Sequence, residues 1–260
     1  MAEKFQEHAV ILAQEKLAEG IYSIWFETKD IAAYAKAGQF VAVYSKDDSH
    51  LLPRPISICE VDKEKNAIRI VYRVAGEGTL EFSGYKTGDT LRIMGPLGNG
   101  YPEIDGDVFV IGGGIGVPPM LELAKQLLSQ NPNRKVTAVL GYRDELFLKE
   151  DFEKIVPVVI ATEDGSTGTK GTVIDALNAN NLKADVICTC GPTPMLRALK
   201  DYARNNEMKC YVSLEERMGC GIGACLACVC KTKEKDEHSN VNNTRICKEG
   251  PVFFAEEVEF

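Results

Sequence analysis

Four cysteines constrain this chain more than any other feature. Cys220, Cys225 and Cys228 stand at C-x4-C-x2-C spacing, and Cys247 answers them after eighteen further residues. Thiolates at this spacing hold a [2Fe–2S] cluster. A zinc site more often shows two separated Cys-x-x-Cys pairs. Between the cysteines, Gly219, Gly221 and Gly223 give the loop the freedom to turn backbone N–H groups inward at sulfur. Small Ala224 and Ala227 let the backbone approach closely. Cys230 lies two residues past Cys228 and shares its face in an extended strand, but the ligand frame is complete without it. Cys59, Cys188 and Cys210 read as small buried hydrophobes, while the residues alone leave Cys190 without an assignment.

The first hundred residues carry short alternating segments at 9–17, 21–27, 40–44, 56–60, 67–74 and 90–94, separated by turn signals at Gly20, Gly38, residues 62–66 and Gly88-Asp89. Six such strands predict a small closed antiparallel barrel. Three stretches in it can bind an anion or a ring. Arg54-Pro55-Ile56-Ser57 puts a guanidinium, which grips phosphate oxygens in a fork, beside a hydroxyl. Val71-Tyr72-Arg73 places an aromatic ring next to a second cation, and Gly76-Glu77-Gly78-Thr79-Leu80 is a glycine turn that opens a short helix.

The pattern changes near Tyr101-Pro102. Val108-Phe109-Val110-Ile111 is the continuous apolar run of a buried parallel strand. It flows into Gly112-Gly113-Gly114-Ile115-Gly116 and then into a helical pattern over 119–129. Strand, glycine-rich turn and helix form a phosphate-binding plan, although the spacing departs from G-x-G-x-x-G. Strands expected at 136–142, 158–162 and 186–189 alternate with helices at 146–154, 172–177 and from Met195 to about Asn205. That rhythm predicts a parallel sheet with helices on both faces, closed by a strand at 210–214. Gly112 to Gly116, Gly141-Tyr142-Arg143 and Cys190-Gly191-Pro192 fall at the strand ends where such sheets bind ligands.

The expected architecture is therefore a β-barrel over 1–100, an α/β nucleotide domain over 101–214 and a small cluster module over 215–260. The module is too small to build a sufficient core alone, so iron ligation would stabilise it. Residues 231–243 read as a polar, solvent-facing excursion, and Phe253-Phe254 as either core or a docking patch. A net charge of −8 with scattered basic residues argues against nucleic acid and anionic membrane surfaces. No apolar run reaches the length of a membrane span. The first residues lack the apolar core of an export signal, and nine cysteines without one point to a reducing cytoplasm.

The motifs Arg54-Pro55-Ile56-Ser57, Gly112-Gly113-Gly114-Ile115-Gly116 and Cys190-Gly191-Pro192-Thr193-Pro194-Met195 resemble those of the ferredoxin–NAD(P) reductase superfamily. Residues 218–225 together with Gly250-Pro251-Val252-Phe253 narrow the resemblance, over essentially the whole length, to members that serve NAD-dependent dihydroorotate dehydrogenases. The resemblance implies FAD at Arg54, Pro55, Ile56, Ser57, Val71, Tyr72, Arg73, Gly78 and Thr79. It implies NAD over Gly112, Gly113, Gly114, Ile115 and Gly116, and at Cys190, Gly191 and Pro192. Many superfamily members carry an aromatic residue where this chain has Ile56, so ring recognition there falls to backbone and Ser57.

By the same resemblance, electrons pass from the FMN of a catalytic partner subunit through [2Fe–2S] and FAD to NAD+, in pyrimidine biosynthesis and in a hetero-oligomer. The chemistry is self-consistent. A cluster delivers single electrons, NAD+ takes two, and a flavin holds the first until the second arrives. No catalytic acid or base is required of this chain. The base and the FMN pocket for dihydroorotate belong to the partner. The alternative is another flavin and iron–sulfur reductase subunit, for a ferredoxin:NADP or oxygenase system. NAD is expected over NADP because Arg143 is followed by Asp144 and Glu145, with Glu163-Asp164 after the next strand.

Overall fold

The computed structural model describes residues 3–47, 49–235 and 240–260. Met1 and Ala2, at the head of the stretch read for an export signal, and residues 236–239 of the polar excursion lie outside them. The excursion's described residues on either side, 233–235 and 240–242, are exposed.

The chain begins with β1 (Phe5–Ala18), β2 (Ile21–Glu27), α1 (Asp30–Tyr34), β3 (Phe40–Val43), β4 (Arg54–Asp62), β5 (Ala67–Arg73), α2 (Glu77–Ser83) and β6 (Thr90–Leu97). The six strands close into an antiparallel barrel in the order β1-β2-β5-β4-β3-β6. A two-residue loop sets the first register: Ala18 faces Ile21 across Glu19-Gly20, with Gly20 in the left-handed region. Ile11, Ile24, Phe26, Ile58, Ile68, Ile70 and Phe82 fill the interior.

Next come β7 (Val108–Gly113), α3 (Pro118–Gln130), β8 (Val136–Tyr142), α4 (Lys149–Glu153), β9 (Val158–Thr162), β10 (Thr169–Lys170), α5 (Val173–Ala179), β11 (Val186–Cys190), α6 (Thr193–Asn205) and β12 (Lys209–Ser213). Then follow β13 (Val229–Thr232), β14 (Asn243–Arg245), β15 (Val252–Phe254) and β16 (Val258–Glu259). The large sheet runs β10-β9-β8-β7-β11-β12-β15. Its central strand is buried on both faces, with Val108 and Val110 in the core beneath α3 and Phe109 and Ile111 in the core beneath α5 and α6. This explains why its sequence is continuously apolar rather than alternating.

Two expectations need correction. The helix expected over 146–154 begins only at Lys149. Leu148 is left-handed, and the turn it makes buries Phe147 and Leu148 while the Tyr142 hydroxyl caps the Phe147 carbonyl at 2.7 Å. Nor does the strand at 210–214 close the sheet. β15 returns from the C-terminal segment and pairs antiparallel outside it, Tyr211 opposite Phe254 and Ser213 opposite Val252. Phe253 is thereby buried, which resolves the apolar tail as core.

A buried charge network joins barrel to sheet. Arg69 on β5 donates to Ser23 at 2.8 Å, to Glu60 at 2.6 Å and to Asp151 at 3.0 Å, and Lys125 on α3 reaches Glu60 from above. The Arg69 and Glu60 side chains are 8% and 10% exposed. Removing one member of such a pair strands the other charge in the interior, at a cost of about 3–5 kcal/mol. In Arg69→Met the Glu60 carboxylate keeps Lys125, so the loss expected in a urea titration is smaller, about 1–3 kcal/mol. A loss within experimental error of zero would mean the network does not hold the two parts together.

Candidate functional site

Parallel pairing sets Cys190, the last residue of β11, directly beside Gly112 of β7. The chain leaves β7 for β8 on one side, while β11 lies on the other, so the crevice between them is the point where strand order reverses. The two loops at that crevice are in contact. A methyl group on Gly116 would run into the Cys190 carbonyl, and one on Gly113 would meet Met195 and Pro192. Gly114 takes a left-handed turn that delivers the chain to α3, whose first two residues are Pro118 and Pro119. Residues 112–116 and 190–192 are therefore one structure, a bare-backbone cradle of the kind a dinucleotide diphosphate needs. The Cys190 thiol is fully buried, meets Ser213 and lies 3.9 Å from Glu215 Oε1. Burial, then the Glu215 charge, push it well above the ordinary thiol range, so this cysteine remains a neutral packing group.

In the barrel, the Arg54 guanidinium packs on Gly78 in the volume a side chain there would occupy. The Leu52 carbonyl accepts from Arg54 at 2.5 Å. Arg73 ends β5 exposed and reaches from the barrel to within 3.8 Å of the position a methyl on Gly114 would take. Arg73 thus spans from the barrel toward the 112–116 loop, while Arg54 is held against α2 at Gly78.

The other barrel candidates are disposed differently. Ser57 and Pro55 are half-buried, while Ile56 joins the barrel core. Val71 packs in the core shared with α3, and Tyr72 turns into the barrel between Tyr22 and Phe82, its hydroxyl without a hydrogen-bond partner among the described residues. The Thr79 hydroxyl is fully used in its own turn: it accepts from Ala75 and Gly76 N–H at 2.8 and 3.1 Å and donates to the Gly76 carbonyl.

At the C-terminal end, β13, β14 and β16 form a small sheet. Pairing of Val229 with Arg245 brings Cys228 beside Cys247, and the Ile246 N–H donates to the Cys228 carbonyl at 2.8 Å. Left-handed Gly221 and Gly223 fold the preceding loop so that Cys220 and Cys225 meet. The Cys225 N–H points at the Cys220 sulfur at 3.3 Å. Burial alone would raise the Cys220 thiol, but hydrogen bonds from the Cys225, Ile222 and Ala224 backbone overcome it and draw it down to about 6. Cys247 is pushed up to about 12 by burial and by its contact with Cys228. Among the described residues, no three His, Cys, Asp or Glu side chains form a group suited to a single metal ion. Cys220 meets Cys225 and Cys247 meets Cys228, and the charge on Cys220 also reaches Cys247, so the four thiols turn toward one another. Two thiols per iron is the arrangement of a [2Fe–2S] centre. Cys230 pairs with Thr244 in the strand ladder and packs against the core beneath α6.

Residues that the sequence pattern did not single out hold this loop in place. Arg245 donates to the Gly223 carbonyl at 2.9 Å and to both carboxylate oxygens of Glu249. Asn99, just after the barrel, binds the Lys248 and Glu249 carbonyls, and Leu97 of β6 touches the face of Gly221. Arg245 sits in the plainly visible Thr244-Arg245-Ile246-Cys247 return, but nothing in its spacing marks it as a loop anchor.

The chain matches two family models: the iron–sulfur cluster binding domain of dihydroorotate dehydrogenase B over residues 215–259, and the oxidoreductase NAD-binding domain over residues 110–201. It is 41% identical over 260 residues to a Geobacillus kaustophilus dihydroorotate dehydrogenase B (NAD(+)) electron transfer subunit, covering 97% of this chain and 98% of that one. The Bacillus cereus (strain G9842) subunit of the same name is 39% identical, covering 95% and 96%. Among solved structures, an NADH-dependent reduced ferredoxin-NADP oxidoreductase described for flavin-based electron bifurcation superposes with a TM-score of 0.87 at 29% identity, covering 97% of this chain and 90% of that chain.

The Arg54–Gly78 contact generates a paired test. Gly78→Ala displaces the guanidinium, whereas nothing lies within 4 Å of a methyl on Gly76. Loss of one charge-assisted phosphate contact is expected to weaken FAD binding about tenfold or more in Gly78→Ala. Gly76→Ala should retain normal affinity, and equal affinities in the two variants would remove Arg54 from the flavin site.

Proposed function

The chain belongs to the family of dihydroorotate dehydrogenase B (NAD(+)) electron transfer subunits, and on that premise we propose how its residues carry the activity. It is an NAD-dependent oxidoreductase component that carries electrons through [2Fe–2S] and FAD to NAD+. The cluster supplies single-electron transfer, and the flavin converts it to the two-electron reduction of NAD+.

In this reading residues 1–100 hold FAD, 101–214 hold NAD and 215–260 hold the cluster. Arg54 would neutralise the flavin diphosphate beside Gly78, and Arg73 would add a second cation toward the 112–116 loop. Pro55, Ser57 and the backbone at Ile56 would meet the ring, while Val71 and Tyr72, packed on opposite faces of β5, would support it through the strand. Thr79 fixes the turn that presents Gly78. NAD lies over Gly112, Gly113, Gly114, Ile115 and Gly116, against Cys190, Gly191 and Pro192. Cys220, Cys225, Cys228 and Cys247 hold the two irons. The observation that carries the cluster assignment is the convergence of these four thiols, with backbone N–H groups already turned toward Cys220.

An electron transfer subunit serves a catalytic partner, and we infer that the partner carries FMN and the dihydroorotate pocket. Ile222 and Leu226 support a docking face at the cluster loop. They are 41% and 73% exposed, although they flank the metal-binding cysteines. Apolar side chains held in water beside a redox centre suit a surface that a protein covers. No described helix is long and apolar enough to cross a membrane. The reading puts the chain in a reducing cytoplasm, where its thiols stay available to iron.

Purified alone, the chain is expected to reduce dyes with NADH and to show no dihydroorotate oxidation. Dihydroorotate turnover by this chain alone would refute the division of labour. Leu226→Asp should weaken capture of the FMN subunit about tenfold while dye reduction persists, and undiminished capture would move the interface elsewhere. Cys225→Ser should abolish the cluster's visible absorbance and Cys230→Ser should leave it, while the reverse pattern would exchange the two ligands.

A further inference from the structure

One histidine joins the two stretches that meet at Arg54. The segment 44–53 leads from β3 into Arg54, and α2 carries Gly78. His50 lies between them with its side chain only 18% exposed. Its Nε2 is 3.1 Å from Glu77 Oε2, and its Nδ1 is 3.5 Å from Glu81 Oε2 and 4.0 Å from Asp47 Oδ2. Glu81 grips the same segment a second time, accepting from the Lys46 N–H at 2.7 Å and from the Tyr85 hydroxyl. Lys46 in turn pairs with Asp89 at 3.3 Å and stands over the Tyr85 ring. Among the described residues, the charged groups acting on the imidazole are thus Asp47, Glu77 and Glu81, opposed by Arg54.

This arrangement distinguishes the two forms of the ring. Nε2 meets Glu77, while buried Nδ1 and Glu81 Oε2 stand 3.5 Å apart without a hydrogen bond. Only the imidazolium carries a proton on Nδ1 for that carboxylate while Nε2 donates to Glu77. A neutral ring has one N–H and turns its lone pair on the other carboxylate. We propose that protonated His50 clamps residues 44–47 and 49–53 onto α2, and that FAD binding is therefore tight when His50 is charged and weaker when it is neutral. Two consequences of the clamp favour the ligand. It holds Arg54 in place over Gly78, and it offsets the negative charge of Glu77, the immediate neighbour of Gly78, which otherwise repels a diphosphate.

The hydrogen bond that His50 donates to Glu77 raises its proton affinity above the ordinary imidazole value. Partial burial and Arg54 oppose this, and Glu81 and Asp47 add to it. The stabilisation is thus complete at low pH and is lost as pH rises through the raised value. The inference rests on the reading that the flavin diphosphate lies at Arg54 and Gly78.

The test is the FAD dissociation constant of the holoprotein, measured by flavin release at about pH 6 and about pH 8.5. A diphosphate diester keeps both charges throughout that range, so the slope reports the protein. Wild type is expected to bind about tenfold more weakly at the higher pH. His50→Gln should show one weakened value at both. Should that variant fold poorly, Glu77→Gln, a change to an exposed side chain, is expected to flatten the slope instead. A wild-type slope in His50→Gln or in Glu77→Gln would overturn the clamp. Arg54→Ala separates the two levels. If it releases FAD while His50→Gln keeps the wild-type slope, the clamp alone fails. If it leaves FAD affinity unchanged, the placement of the flavin fails, and the clamp with it.

Discussion

The antiparallel pairing of β15 with β12 is the constraint on which the rest depends. Residues 215–251 leave the large sheet at Leu214 and wind the cysteine loop and the β13–β14 hairpin. They return to within hydrogen-bond reach of their departure, the Leu214 N–H donating to the Pro251 carbonyl at 2.9 Å. A segment of this size cannot bury enough apolar surface to be stable alone. It borrows the core of its neighbours: Cys228, Ile246, Cys247 and Phe253 share one cluster with Leu196, Leu199 and Val212 of the sheet and with Phe40 and Leu97 of the barrel. The cysteine loop is thus fixed against the six-stranded barrel and the large sheet at once. A chain that relays electrons needs such rigidity, because its centres must keep their spacing without a motion that costs time or energy.

A second tie acts on the opposite side. The Arg69, Glu60, Lys125 and Asp151 network joins barrel to sheet with charges that are expensive to bury singly. Arg73 of β5 reaches toward Gly114 of the 112–116 loop, which packs against residues 190–192 to make the cradle. The cradle itself is a consequence of register. Had β11 paired with β7 one residue out of step, Cys190 would not face Gly112, and Gly116 would not reach the Cys190 carbonyl.

Much of this was legible in the residues. The four cysteines stood out at once, because ligand spacing is a local property of the chain. The apolar run 108–111 with its glycines marked the buried strand and the cradle for the same reason. What escaped was set by long-range pairing. Nothing near Val252 says that it will extend a sheet begun more than a hundred residues earlier. The helix expected at 146–154 was shortened because Leu148 adopts a conformation rare for a branched residue, bought by burying two side chains. Tyr72 and Thr79 are polar residues in a promising stretch, yet the barrel turns one ring inward and the 75–79 turn consumes the other hydroxyl. The partners of Glu60 and Arg69 come from three separate elements and leave no trace in local sequence.

The central claim is that one chain holds both a one-electron and a two-electron centre. An anaerobic reductive titration of the purified protein, followed by visible absorbance and electron paramagnetic resonance, tests it directly. The account predicts uptake of one electron more per FAD than the flavin alone accepts, with a paramagnetic signal from a reduced [2Fe–2S] cluster in proportion to the flavin. Uptake limited to the flavin, with zinc bound to the four thiols and no paramagnetic signal, would contradict it.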